Sequence, residues 1–283
     1  MRRGYDAGRR PHGPETGARR RRPRRGVASP GMTFEVDGEA YDRFMGRYSR
    51  PLAARLADWL EVSEGQRALD VGCGPGALTG RLVDRLGADR VSAVDPSPPF
   101  VEVCRSRFPG VDVRQATAEA LPHDDDSFDV TGCCLVVHFM QDPVGGFTEM
   151  ARVTRGGGWV GATVWDLHGR REPMAPMWSA LEEIDPDHPG ERKLPGGAEG
   201  QLVEILERAG LRDVDGTRMS VTLTHPTFEE WWEPYLHGVG PVGEAVAALD
   251  PVRREQLRAT LRGRLGAGPF DLTAVAFAAR GRA

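Results

Sequence analysis

The sequence has few of the features that mark membrane-spanning, secreted or zinc-binding proteins. Its 283 residues include four cysteines, which form no C-x-x-C pair, and two of them, Cys133 and Cys134, are adjacent. This spacing suits neither a zinc site nor a disulfide framework, and a reducing cytoplasmic compartment is the simplest context. No stretch approaches the roughly 18 to 20 apolar residues of a membrane-spanning helix, and the N-terminus lacks the apolar part of a secretory signal. We therefore expect a cytoplasmic protein with no membrane partner.

Lysine is nearly absent, and arginine is unevenly distributed. Of 37 basic residues only Lys193 is a lysine; residues 1–31 contain ten arginines against two acids, whereas residues 32–283 contain 27 basic and 39 acidic groups. The first segment has almost nothing to bury, which predicts a disordered Arg-rich tail, either merely solvated or acting as a nucleic-acid arm or targeting peptide. The acidic remainder is predicted to be one folded domain, and it offers no electrostatic footprint for a nucleic acid.

Short β-rich runs alternate with amphipathic helical stretches from about residue 41 onward. The predicted helices are 53–60, 78–86, 97–108, 143–153 and 202–206, and the predicted strands are 68–71, 91–94, 111–114, 128–135, 159–164, one within 211–223, and 272–278. This order predicts an α/β fold, a Rossmann-like doubly wound sheet that is mostly parallel, with seven strands and an antiparallel last strand.

Two long insertions leave the carboxyl ends of predicted strands, the edge where open α/β sheets bind ligands. Residues 166–196 are Pro-rich and are predicted to be largely irregular, whereas residues 226–268 are predicted to be helical. We expect them to form a substrate lid. Six residues are candidates for binding the substrate. They lie near the first helix, at the edge of the first insertion or inside the two insertions, and they are Tyr41, Tyr48, Trp165, Trp178, Trp232 and His237. Trp231 and Trp232 are adjacent, so at most one of them is a good candidate for the pocket.

A glycine loop follows the first predicted strand. Gly72, Gly74 and Gly76 let backbone amides and the next helix N-terminus approach a ligand closely. The loop alone is ambiguous, because Gly72-x-Gly74-x-x-Ala77 with Asp95 also satisfies a relaxed dinucleotide pattern. An NAD(P)-dependent oxidoreductase is therefore one hypothesis.

Asp70 separates the hypotheses, because it lies inside the strand that precedes the glycines. A carboxylate in an apolar run costs several kcal/mol unless it is paired, so a positive or hydrogen-bond-donating group is expected beside it. The ammonium of an amino-acid-bearing cofactor would satisfy Asp70, and a pyrophosphate would be repelled. Hydrogen bonds from the loop's own amides are an equally open alternative.

Several runs together resemble one known family, the class I S-adenosylmethionine-dependent methyltransferases, in particular small-molecule enzymes with a methyltransferase type 11/25-like domain. The resemblance covers about residue 40 to the C-terminus, and the runs follow the family's order. They are Leu69-Asp70-Val71-Gly72-Cys73-Gly74-Pro75-Gly76, Val94-Asp95-Pro96-Ser97, Ala118-Glu119-Ala120-Leu121-Pro122, Ser127-Phe128-Asp129 and the segment 149–158.

The resemblance implies S-adenosylmethionine as the cofactor, with S-adenosylhomocysteine as the product. It implies that the glycine loop packs against the methionine moiety, and that Asp95 holds the ribose hydroxyls, since a carboxylate accepts two hydrogen bonds. Thr117 stands where many members have an acidic residue that binds the adenine amino group. Here the Thr117 hydroxyl or the Ala118 backbone is expected to hydrogen-bond the adenine. Arg47 or Arg50 is a candidate for the cofactor carboxylate. The implied cofactor-binding residues are Asp70, Gly72, Cys73, Gly74, Gly76, Asp95, Pro96, Thr117, Ala118 and Glu119.

The acceptor is expected to be a small molecule methylated on oxygen, nitrogen or carbon, in secondary metabolism. Alignment of the acceptor with the methyl group supplies most of the catalysis, and a base is needed only to remove a proton. His138 is the candidate base, against the alternative of a hydrogen-bonded structural histidine. Leu135-Val136-Val137-His138 replaces the Asn/Asp-Pro-Pro-aromatic run that nucleobase amino-methyltransferases share, which disfavours DNA or RNA.

Three further expectations complete the interpretation. No metal is expected, because the acidic run 124–126 has the pattern of a solvated loop. A third functional hypothesis is an S-adenosylmethionine-binding protein that catalyses a reaction other than methylation. The sequence leaves the oligomeric state open, with a homodimer as one option.

Overall fold

The computed structural model describes residues 42–186, 190–191, 193–238 and 240–283. The predicted Arg-rich tail and Tyr41 lie outside the described residues. In the described part of the chain the strands are β1 (Ala68–Val71), β2 (Val91–Asp95), β3 (Asp112–Gln115), β4 (Phe128–Cys134), β5 (Thr154–Trp165), β6 (Arg212–His225) and β7 (Phe270–Arg282). The helices are α1 (Arg47–Trp59), α2 (Ala77–Leu86), α3 (Pro98–Arg107), α4 (Pro143–Val153), α5 (Ala175–Ile184), α6 (Gln201–Arg208), α7 (Phe228–Trp232), α8 (Gly240–Ala248) and α9 (Pro251–Leu265).

The strands form one seven-stranded sheet in the order β3-β2-β1-β4-β5-β7-β6. Strands β1 to β5 pair in parallel, and β7 pairs antiparallel with both β5 and β6. The predicted fold class, a mostly parallel sheet with an antiparallel last strand, is confirmed. Because neighbouring parallel strands end at the same edge, the residues after β1, β2, β4 and β5 are brought together there.

Helices cover both faces of the sheet and bury its apolar strands. On one face, α1 and α2 pack Leu56 and Leu82 beneath β1. On the other face, α4 and α6 bury Phe147 and Leu206 in a second cluster. β1 is buried at all four positions, as expected of a central parallel strand covered on both faces.

A third apolar cluster lies where the two insertions meet β6 and β7. It combines Trp165 and Trp178 with Phe228 and Tyr235. The insertions therefore contribute a core of their own at the carboxyl edge of the sheet. Within the described residues, no helix has both the length and the apolar character needed to cross a membrane.

The insertions differ from the sequence prediction in detail. The stretch 166–196, predicted to be irregular, contains α5, which buries Met177, Trp178 and Leu181 on one side. Proline is compatible with the first turn of a helix, where its missing N–H has no intrahelical partner, so the Pro-rich composition concealed this element. The predicted helical region 226–268 is divided into α7, a 3-10 turn over Glu233–His237, α8 and α9.

We expect Phe147→Ala to lower the free energy of unfolding by about 3–5 kcal/mol, because it empties a fully buried site between α4 and the sheet. Urea denaturation of the purified chain measures this change. Val252→Ala, at a side chain that is 78% exposed, is the matched control and should change stability by less than about 0.5 kcal/mol. Equal effects of the two substitutions would contradict the packing described here.

Candidate functional site

The glycine loop connects β1 to α2 and leaves one glycine open. At Gly72 the backbone has φ +71°, and a Cβ atom would lie 2.5 Å from the methyl groups of Val136. At Gly74, where φ is +51°, a Cβ atom would meet no atom within 4 Å. Gly72 is therefore required by close packing and positive φ, whereas Gly74 faces space that a ligand can occupy.

Asp95 at the end of β2 holds this loop in place. Its Oδ2 accepts a hydrogen bond from the Gly74 backbone N–H at 2.8 Å, and its Oδ1 accepts one from the Ser97 N–H at 2.9 Å. The side chain is buried, and this desolvation raises its pKa. Each carboxylate oxygen can accept a further hydrogen bond, so the acceptors required by two ribose hydroxyls are present.

Asp70 is buried beneath the same loop with one oxygen unsatisfied. Its Oδ2 accepts a hydrogen bond from Thr79 Oγ1 on α2 at 2.6 Å, while Oδ1 has no partner among the described residues. Burial raises the pKa of this carboxyl group to about 7. The free Oδ1 is an acceptor that fits the ammonium of an amino-acid-bearing cofactor, and it disfavours a pyrophosphate.

The alternative in which loop amides satisfy Asp70 is wrong. The Gly72 and Cys73 amides both donate to Val94 O, the Gly74 amide donates to Asp95, and the Gly76 amide donates to Cys73 O. The loop amides are therefore used by β2 and by the turn itself, and Thr79 on α2 donates to Asp70 through its hydroxyl and its backbone N–H. The Cys73 thiol is also turned inward, where it is hydrogen-bonded to Cys104.

The segment after β3 contributes the remaining predicted cofactor residues. Thr117 is exposed and Ala118 is buried. Glu119 Oε1 accepts hydrogen bonds from the Gln141 and Asp142 amides at 2.9 and 3.2 Å, so this carboxylate ties the segment to the chain after β4. Pro96 is exposed beside Asp95, with its carbonyl bonded to Gln115.

The two candidate arginines take different positions. Arg47 pairs with Glu230 at 2.6 Å, which commits it to the start of the second insertion. Arg50 instead lines a cavity beside Pro75 and Gly76, together with Arg107. Of the two, Arg50 is the one that lies at the glycine loop, next to the N-terminus of α2.

A largely apolar cavity lies beyond the ends of β4 and β5, with an empty volume of about 480 Å³ including its open mouth. It adjoins the glycine loop, since Val136, which packs on Gly72, is flanked by cavity residue Leu135. Leu135 has φ +65°, an uncommon conformation for a branched side chain, which places local backbone strain at this wall. The lining residues are Phe44, Met45, Leu135, His138, Phe139, Trp165, Met174, Glu191, Gly240, Pro241 and Val242.

His138 contributes one of the two ionisable side chains of this cavity lining. Its Nδ1 is buried without a partner among the described residues, and its ring contacts that of Phe139. Burial lowers the pKa of the imidazole to about 4. At neutral pH the ring is uncharged, so it can hydrogen-bond an acceptor molecule through an unprotonated nitrogen.

The predicted substrate residues take three kinds of position: in the cavity wall, in contact with a wall residue, or buried in the core. Trp165 forms part of the cavity wall. Tyr48 is not a lining residue; its ring meets Trp165 edge to face, and its hydroxyl is 2.8 Å from His225 Nε2. Trp178 is buried behind the wall, where its indole N–H donates to Glu191 Oε2 at 2.9 Å.

Trp232 and His237 do not line the cavity. Trp232 stacks on Phe228 inside the third cluster, and Trp231 is buried there as well. His237 is exposed on the 3-10 turn. Helical spacing does not distinguish a tryptophan packed in a core from one facing a pocket, which explains both tryptophan positions.

Several lining residues have no signal in the sequence. Glu191 lies in the Pro-rich insertion, where neither periodicity nor a motif marks it. Phe44 and Met45 come from the segment before α1 and reach the cavity only through the tertiary fold. Both lie in the part of the chain, from about residue 40 onward, that resembles the family, and this was the one available hint.

The buried Asp70 generates a pH prediction. Folded Asp70 keeps its proton up to about pH 7, whereas an unfolded aspartate releases its proton at about pH 3.9. Between these two pH values the folded state therefore binds more protons than the unfolded state. The stability of the ligand-free wild type should therefore fall relative to Asp70→Asn as the pH rises from about 4 to 7. Urea denaturation across this range is the measurement, with exposed Asp84→Asn as the control that should follow the wild type. Parallel curves for wild type and Asp70→Asn would contradict it.

Residues 69–161 match the family model of a methyltransferase domain. An uncharacterized methyltransferase of Mycobacterium tuberculosis is 42% identical over 140 residues, which are 50% of this chain and 54% of the relative. The chain thus spans about half the length of the curated relatives it matches.

Two solved structures are similar in fold. One is phosphoethanolamine N-methyltransferase 2 of Haemonchus contortus in complex with phosphomonomethylethanolamine and S-adenosylhomocysteine, with a TM-score of 0.54, 18% identity, and coverage of 87% of this chain and 56% of that one. The other is the [4+2]-cyclase SpnF, with a TM-score of 0.54, 21% identity, and coverage of 88% and 84%. Residues 69–161 thus match a methyltransferase domain, and the chain shares its fold with these two proteins.

Proposed function

We propose that this protein binds S-adenosylmethionine across the carboxyl ends of β1 and β2 and transfers its methyl group to a small molecule held in the apolar cavity. The observation that carries the proposal is the Gly74–Asp95 contact, which fixes an open glycine loop and a carboxylate side by side. The cavity is lined by Leu135, the chain neighbour of the Val136 that packs on Gly72, which supports an acceptor site close to the donor site.

Four groups would hold the cofactor. Asp95 would accept the ribose hydroxyls, Asp70 Oδ1 the ammonium group, and Arg50 would pair with the carboxylate. The Thr117 hydroxyl or the Ala118 backbone would hydrogen-bond the adenine. When bound, the cofactor supplies an electrophilic methyl group on a sulfonium.

The chain's own residues would align the acceptor and exclude water from it. The apolar and aromatic wall favours a compact organic molecule, and the acidic body disfavours a nucleic acid. Neutral His138 would orient an acceptor hydroxyl or amine by hydrogen bonding. A cytoplasmic setting, a role in secondary metabolism and a homodimer stay predictions.

A second candidate is a reaction without methyl transfer at the same cofactor site. The fold is shared with a protein named as a [4+2]-cyclase, so the fold alone does not select the reaction. The low pKa of His138 also makes it a weak base. Accumulation of S-adenosylhomocysteine with added acceptors separates the candidates. An NAD(P)-dependent reaction is disfavoured by Asp70 and would show itself as NAD(P) binding.

Asp95→Ala should weaken the binding of S-adenosylhomocysteine at least about 100-fold, since it removes the ribose acceptors and frees the Gly74 amide. Isothermal titration measures the affinity, and circular dichroism checks that the fold is retained. Asp84→Ala on the exposed side of α2 is the matched control and should bind normally. Normal binding by a folded Asp95→Ala protein would defeat the site assignment.

His138→Ala should lower the single-turnover rate of methyl transfer by about 10- to 100-fold while changing cofactor affinity less than about threefold, because the imidazole faces the acceptor cavity. Exposed His237→Ala is the control, with an expected rate equal to that of the wild type. Unchanged turnover in His138→Ala would assign this histidine a structural role.

A further inference from the structure

One buried carboxylate, Glu191, lines the acceptor cavity, and a second, Glu172, is buried near Glu191; neither has a role in the proposed cofactor binding. Glu191 lines the cavity and is 8% exposed, and Glu172, at the start of the same insertion, is 5% exposed. Burial raises the pKa of both groups, to about 7 for Glu172, and the charge of Glu191 adds to the shift at Glu172. The two side chains therefore lie close enough to repel each other.

Neither carboxylate forms an ion pair among the described residues, and the more distant charge of Arg170 lowers the pKa of Glu172 only in part. Glu191 accepts one hydrogen bond, from the neutral indole of Trp178, and Glu172 Oε2 is buried without any partner. The arginines beside Glu172 in the chain are engaged elsewhere, Arg170 with Glu182 and Arg171 with Asp166. Glu191 therefore faces the cavity with one neutral donor and no ion-pair partner, and a positively charged ligand would stabilise its ionised form.

The surroundings of the pair are aromatic. Trp165, Phe44 and Phe139 share the cavity lining with Glu191. Phe44 meets the ring of Tyr235 edge to face at 4.9 Å, and burial together with the charges of Tyr48 and Glu172 raises the pKa of Tyr235. Glu172 therefore lies behind the aromatic wall. Aromatic faces next to a carboxylate are the combination that binds alkylammonium ions.

We propose that the acceptor is a cationic amine, whose ammonium group binds against Glu191 between the aromatic side chains of the cavity, with Glu172 adding negative potential behind it. This inference rests on the proposed function, because it names the class of molecule that the acceptor site takes. It concerns recognition of the charged group and leaves open which atom receives the methyl.

The test compares benzylamine with benzyl alcohol, which have similar shapes but differ in charge at neutral pH. Isothermal titration of both probes into the wild-type chain saturated with S-adenosylhomocysteine measures the preference. We expect the amine to bind at least about tenfold more tightly than the alcohol. Equal binding, or a preference for the alcohol, would overturn the proposal without any variant being needed.

Glu191→Gln should reduce the preference for the amine to less than about threefold, because it removes the charge and nearly preserves the shape. Glu204→Gln, at an exposed position on α6, is the matched control and should keep the wild-type ratio. Glu172→Gln should lower the ratio by a smaller factor. An undiminished ratio in a folded Glu191→Gln protein would overturn the assignment of the ammonium site.

The same proteins distinguish this inference from the proposed function. Absence of S-adenosylhomocysteine binding would defeat the proposed function, and the probes can still be titrated into the ligand-free chain. If Glu191→Gln weakens S-adenosylmethionine relative to S-adenosylhomocysteine and leaves the amine preference intact, the carboxylate serves the cofactor's sulfonium and the inference is wrong.

Discussion

The hydrogen bond from the Gly74 amide to Asp95 is the contact on which the site's geometry depends. It joins the loop after β1 to the end of β2, two points that the chain separates by a helix and a turn. With the loop fixed, Val136 packs on Gly72, and the next strand's end brings Leu135 and His138 to the cavity. One buried carboxylate thus aligns the cofactor side of the cleft with the acceptor side.

The cleft accumulates negative charge at a cost in stability. Asp70, Asp95, Glu172 and Glu191 are all buried, and burial raises the pKa of each. Asp70 and Glu172 each have one oxygen without a hydrogen-bond partner among the described residues, and such groups are typical of sites that complete their interactions with a ligand. The acidic wall and the acidic loop together favour positively charged ligands.

The elements that form the cofactor side could be predicted because their signals are local. The apolar run of β1, the glycines after it and the bounds of α4 follow from adjacent residues, and α4 occupies the predicted range 143–153. On the acceptor side only His138 and Trp165 could be predicted, because Phe44 and Glu191 meet only in the folded chain. Trp232 shows the same limit, since the pattern that buries a tryptophan in a core is identical to the one that presents it to a cavity.

The position of β7 has a consequence for how the protein is made. This strand lies between β5 and β6, with Trp165 paired to Ala276 and His225 paired to Phe270. During synthesis, β6 has no neighbour in the sheet until Phe270–Arg282 has left the ribosome. The nascent chain therefore holds the second insertion and its apolar residues without this part of the sheet until β7 has been synthesised, and a chaperone would be needed most in that interval.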